Sequence, residues 1–112
     1  MRAILYGWLS DLGFDIVEAA DGREAMEQFA ALGPVDVAIV DWNMPVMTGY
    51  ELLVELRASP TFDAMPILMI STEGSEANMR QALDAGANAY IAKPVTETLL
   101  REKLRLLGFE IR

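Results

Sequence analysis

Apolar positions along the chain alternate between helical spacing and short continuous runs. From Arg2 to Leu12, the residues Ile4, Leu5, Trp8, Leu9 and Leu12 share one helical face, and Gly13 follows as a C-terminal cap. Phe14 to Ala19, which includes Ile16 and Val17, predicts a short strand. Asp21 stands three residues before Glu24, a capping-box-like start for a helix buried through Ala25, Met26, Phe29 and Leu32 and stopped at Gly33-Pro34.

Val35 to Asp41 is a β-branched apolar run ending in a carboxylate, as expected of a strand covered on both faces. Thr48 and Glu51 form a second capping box for a helix lined by Leu52, Leu53 and Leu56, with Pro60 beyond its end. Pro66 to Ser71 predicts another strand. Ser75 is placed to cap a helix buried through Met79, Ala82 and Leu83, with Gly86 past its end. Ala89 to Lys93 predicts the last strand, and Thr96 opens a helix through Leu100, Leu104 and Leu107 that carries a Glu97–Arg101 pair. A helix followed by repeated strand-helix units implies an α/β fold: a parallel sheet, helices on both faces, right-handed crossovers. Such chains open on a strand; this one opens inside a helix.

Composition narrows the field. The 112 residues fit one domain, 1–112, and 53% apolar with 23% charged residues describes a globular chain. Seventeen acidic against nine basic residues give a net charge of −8, which disfavours a nucleic-acid surface. No apolar run approaches the ~20 residues that span a bilayer, so no membrane partner is expected. With no Cys there are no disulfides or thiolate metal sites, and with no His there is no Ser-His or Cys-His catalysis. A cytoplasmic location is the plain expectation.

Open parallel sheets gather ligands beyond the carboxyl ends of their strands. On the predicted strands those ends carry Asp41, then Ser71 and Thr72, then Lys93 with Pro94. Singly, each has a blander reading: a turn or cap residue for the Asp, a turn-former for the hydroxyls, a surface loop for the Lys. Jointly they place a carboxylate, a hydroxyl and an ammonium on one rim. That set suits a phosphoryl group carried on Asp41, with the cation and hydroxyl holding its oxygens.

The segment from Asp41 through Asn43-Met44-Pro45 to Gly49 and Leu53 resembles the phosphorylation segment of response-regulator receiver domains of the CheY-like type. Met69 to Glu73 is similar to the family's hydroxyl-bearing strand, and Ala85 to Pro94 to its switch-aromatic and Lys-Pro segment. The resemblance covers nearly the whole chain and implies a flavodoxin-like doubly wound sheet. It implies that Asp41 accepts phosphoryl from a histidine kinase, that Ser71 and Lys93 assist, and that Mg²⁺ is held by Asp41 and the Asn43 backbone carbonyl. It further implies a cis Lys93-Pro94 peptide that aims the lysine inward, and a switch through Ser71, Tyr90 and Pro94. Signalling would then reach a downstream protein target across the face that contains Tyr90. The family is not enzymatic in the ordinary sense: it assists its own phosphorylation.

One departure is plain. Family members begin with a strand that brings an acidic pair to this rim, and no such pair precedes the first helix here. The resemblance therefore implies a sheet lacking its first strand, with severely impaired Mg²⁺-dependent phosphorylation. The expected remedies are rearranged pairing or strand exchange between chains, giving a homo-oligomer. Met1 as an internal methionine of a longer polypeptide, or a trimmed chain, is the preferred explanation; natural loss is the alternative. A phosphorylation-independent pseudo-receiver is the competing function. An aspartyl-nucleophile phosphatase is disfavoured because Asn43 stands where a second acid is needed, and flavin binding because no phosphate-cradling loop follows an early strand.

Overall fold

The computed structural model describes residues 2–72 and 76–111. In chain order the elements are α1 (Arg2–Asp11), α2 (Gly22–Leu32), β1 (Ala38–Asp41), α3 (Gly49–Arg57), a 3-10 turn (Pro60–Phe62), β2 (Ile67–Ser71), α4 (Glu76–Asp84), β3 (Ala89–Ala92) and α5 (Glu97–Leu106). The helices begin where polar side chains relieve their free N–H groups. Asp21 accepts from Glu24 N at 2.8 Å, Thr48 and Glu51 close a reciprocal capping box, and Thr96 accepts from Leu99 N. Ser75, the expected cap of α4, lies outside the described residues. At the other end of α2, Gly33 takes φ 76°, a left-handed conformation open to glycine, and its N–H returns to Phe29 O.

The three strands form a parallel sheet in the order β1-β2-β3, with Asp41 opposite Ile70 and Ser71 opposite Ala92. Successive strand residues point to opposite faces. Ala38, Val40, Ile67, Met69 and Tyr90 turn to a layer that includes Leu52, Leu53 and Leu56 of α3 and Ala82 of α4. Leu68, Ile70, Ala89 and Ile91 turn to the layer of Leu5 from α1 and Leu100 and Leu104 from α5. This is the expected α/β sheet with helices on both faces, and every residue of β2 is buried.

Four expectations are corrected. Phe14 to Ala19 forms no strand: its one backbone-to-backbone bond among the described residues is Phe14 N to Leu9 O, the Ala19 carbonyl accepts from the Arg2 side chain, and a strand needs a ladder to exist. Nor is the sheet re-paired to bring this segment against β1. Its ends are pinned, Phe14 edge-on to Phe109 at 5.4 Å and Gly22 so close to Met47 that a Cβ would sit 2.6 Å from that side chain. The strand predicted over Val35 to Asp41 starts at Ala38, because pairing starts where Ile67 lies opposite; Val35 N instead meets Met65 Sδ at 3.5 Å. Finally, Ile4, Leu32, Met79 and Leu83 are exposed. Ile4 lies about 100° around the helix from buried Leu5, Leu32 occupies the last turn of α2, and α4 presents Ala82, not its larger neighbours, to the sheet.

Candidate functional site

Because the strands are parallel, their carboxyl ends share one rim. Asp41 ends β1, Ser71 ends β2, and Lys93 directly follows β3. Pairing extends one residue past β3, where Lys93 N donates to Ser71 O at 2.7 Å. That bond fixes the lysine backbone beside the end of β2. From there the side chain crosses to β1, and Lys93 Nζ donates to both oxygens of Asp41, at 3.0 Å to Oδ1 and 2.8 Å to Oδ2. The two side chains are 20% and 29% exposed, so the pair is screened less than a surface ion pair. The Lys93–Pro94 peptide is cis, as the resemblance implied.

Asp41 is also held from its own loop. Asn43 N donates to Asp41 Oδ1 at 2.9 Å, and the Asn43 side-chain oxygen accepts from Thr72 N at 3.4 Å and Thr72 Oγ1 at 3.2 Å. The loop after β1 is thereby tied to the end of β2. It folds back so that Gly49 N donates to Trp42 O at 2.9 Å, and a Cβ at Gly49 would collide with the Asp41 carbonyl oxygen. Glycine is required there by close approach. Trp42 on this loop and Tyr50 in the first turn of α3 pack ring to ring at 5.2 Å. Val46, at the loop's exposed tip, takes φ 69°, a conformation that strains a β-branched residue.

The structure thus brings Asp41, Asn43 and Lys93 into direct contact. Ser71 is fully buried, one residue past the register partner of Asp41. Tyr90 is buried on β3, facing the α3–α4 layer, three residues before Lys93. The Asn43 side chain does more than the sequence suggested: its hydroxyl and amide partners come from Thr72, a pairing no local pattern announces.

At the opposite end of the sheet lies a cluster the sequence did not reveal. Arg57, the last residue of α3, donates to the carbonyls of Gly86, Phe62 and Met65 and to Asn88 Oδ1, which in turn accepts from Ile67 N at 2.8 Å. Burial pulls the Arg57 guanidinium below its ordinary pKa, partly opposed by the charge of Asp63. Its planar fork joins the turns that precede β2 and β3.

Mg²⁺ takes oxygen ligands in a near-octahedral shell. Among the described residues no group of three or more acidic or other metal-ligating side chains forms, and both oxygens of Asp41 already accept from Lys93. This donor set does not fit an Mg²⁺ site unaided. Among the described residues, also, no helix is long and apolar enough to cross a membrane.

The domain is thus a parallel α/β sheet with a carboxylate and an ammonium paired at its carboxyl rim. The model of the response regulator receiver domain matches residues 1–105, and the chain belongs to that family. Chemotaxis protein CheY1 of Helicobacter pylori is 46% identical over 108 residues, covering 96% of this chain and 87% of the relative. The solved structure of the chemotaxis response regulator CheY4 of Vibrio cholerae superposes with a TM-score of 0.85 at 36% identity, covering 95% of this chain and 88% of that one. The receiver domain of a sensor histidine kinase from Pseudomonas aeruginosa, which has a magnesium ion coordinated in its active-site cleft, superposes with a TM-score of 0.83 at 28% identity over 96% of this chain and 88% of that one. The chain is therefore a receiver domain of a CheY-like response regulator.

Proposed function

We propose that Asp41 accepts a phosphoryl group from a phosphohistidine of a histidine kinase. A carboxylate oxygen forms the O–P bond while the P–N bond breaks, and its electron pair returns to the imidazole nitrogen. Lys93 pairs with the new anion and Ser71 donates to a phosphoryl oxygen, with Tyr90 and Pro94 carrying the change to the face formed by α4, β3 and α5. A downstream protein, in a chemotaxis-type pathway of the cytoplasm, reads that face. The observation that carries this reading is the two-pronged contact of Lys93 Nζ with Asp41 at the end of β1. An ammonium already seated on the nucleophile is positioned to offset charge during transfer.

In receivers that bind it, Mg²⁺ supplies further charge compensation to phosphoryl transfer. Among the described residues no group of three or more metal-ligating side chains forms, so phosphorylation of this chain is expected to be slow and nearly indifferent to Mg²⁺. Intact-mass measurement after incubation with acetyl phosphate, with and without Mg²⁺, tests this. A small acyl-phosphate fraction, unchanged by the metal and abolished in Asp41→Asn, is expected. Full conversion on adding Mg²⁺ would refute the impairment, and an adduct that survives in Asp41→Asn would refute the phosphoacceptor assignment.

The second reading, a pseudo-receiver acting without phosphorylation, is favoured by the same pair seen differently. Asp41 is already neutralised by Lys93, and no acidic cluster surrounds it among the described residues. Partner binding that is equal for the unmodified protein and for Asp41→Asn, with no adduct under any condition, is the outcome that selects it.

A further inference from the structure

Between α3 and α4 runs an open groove of about 620 Å³, walled by Tyr50 on one side and by Ala77, Gln81 and Ala85 on the other. Gln81 and Leu83 stand about 100° to either side of buried Ala82, so the groove lies on the flank of α4 away from exposed Met79 and Leu83. Val54 follows Tyr50 by one turn of α3 and is 45% exposed, which prolongs the apolar wall. Ala77 and Ala85 leave room for a second helix to approach α4 closely, since side-chain size at the contact sets the distance between helix axes.

The rim of the groove carries a charge pattern. Glu76, Arg80 and Asp84 stand at i, i+4 and i+8 of α4, a stripe that reads negative, positive, negative over about 12 Å. Residues four apart on a helix can pair with each other. Among the described residues, however, none of these three side chains forms an ion pair. Their charges are open to a partner, and the complementary stripe is positive, negative, positive. The groove also touches the phosphoacceptor loop: the Tyr50 ring packs at 5.2 Å on Trp42, the residue after Asp41.

We propose that this groove docks an amphipathic helix of a partner protein. The partner presents Lys or Arg, then Asp or Glu, then Lys or Arg at i, i+4 and i+8 against Glu76, Arg80 and Asp84. Its adjoining apolar edge covers Tyr50 and Val54, and contact with Tyr50 carries occupancy to Trp42. Docking here requires no phosphoryl group on Asp41 and leaves the Met79–Leu83 flank of α4 free.

The test is calorimetry with the purified 112-residue chain and a helix-stapled peptide, Ala-Lys-Leu-Ala-Ala-Glu-Leu-Ala-Ala-Lys-Leu-Ala. Saturable one-to-one binding is expected, with a shift of Trp42 emission in Trp8→Phe, the variant that leaves Trp42 as the remaining tryptophan. Arg80→Glu is expected to weaken binding about tenfold, and a peptide with Lys in place of its Glu to restore it. That rescue distinguishes charge recognition from misfolding. Leu83→Asp, on the other flank, is expected to bind as the parent does. No saturable binding, binding without the emission shift, equal affinity in Arg80→Glu, or loss in Leu83→Asp would each overturn the proposal. Self-association of the chain that Arg80→Glu abolishes would also overturn it, by giving the groove to a second copy.

Discussion

The two sides of β1 could hardly differ more. Toward β2, each residue of β1 has a register partner, and β2 itself is buried along its whole length. Toward residues 14–19 there is no ladder, the residues alternate between half-buried and exposed, and cavities open toward both helix layers. Apolar sequence is present on both sides. What separates them is pairing, because a β-branched run becomes a strand only when a neighbour accepts its backbone. The site stands on the ordered side: Asp41 and Ser71 belong to the β1-β2-β3 ladder, and Lys93 is tied to it by its bond to Ser71 O.

This contrast can be broken or sharpened by substitution. The largest effect is expected on the ordered side, where Leu53→Ala should destabilise by about 2–5 kcal/mol, since its fully buried side chain would leave a cavity. Urea unfolding with an unchanged m-value checks it. Next is Arg57→Met, which removes the fork from Phe62 O, Met65 O, Gly86 O and Asn88 and should cost about 1–3 kcal/mol for the carbonyls left unsatisfied. Loss of amide protection should appear first at the starts of β2 and β3. Val46→Asn should act in the opposite sense, gaining about 1 kcal/mol by relieving positive φ at an exposed residue. The smallest effect is expected in residues 14–19. Val17→Ala, at a side chain already 56% exposed, should change stability by less than about 1 kcal/mol. A loss there as large as that of Leu53→Ala would mean that residues 14–19 are as firmly packed as β2.

Much of the frame was legible from local chemistry. Thr48 with Glu51, Asp21 before Glu24, and Thr96 each start a helix where they should, because capping is decided within one turn. The rim residues were legible too, since parallel strands must end together and the runs ending at Asp41 and Ser71 mark where. Residues 14–19 misled because β propensity speaks to fit on a sheet, not to the presence of one. Met79 and Leu83 misled because helical spacing places a stripe without fixing which edge of it meets the sheet. Arg57 and the Asn43–Thr72 tie were illegible: they join residues 29 to 31 positions apart, or turns whose carbonyls carry no side-chain signature.

The account stands most directly on which atom takes the phosphoryl group. After phosphotransfer from a phosphorylated histidine kinase, borohydride reduction converts an aspartyl phosphate to homoserine, and peptide sequencing by mass spectrometry locates it. Homoserine at position 41 alone is predicted. Homoserine at another of the chain's aspartates, with position 41 unmodified, would contradict the assignment of Asp41 and the role given to its contact with Lys93.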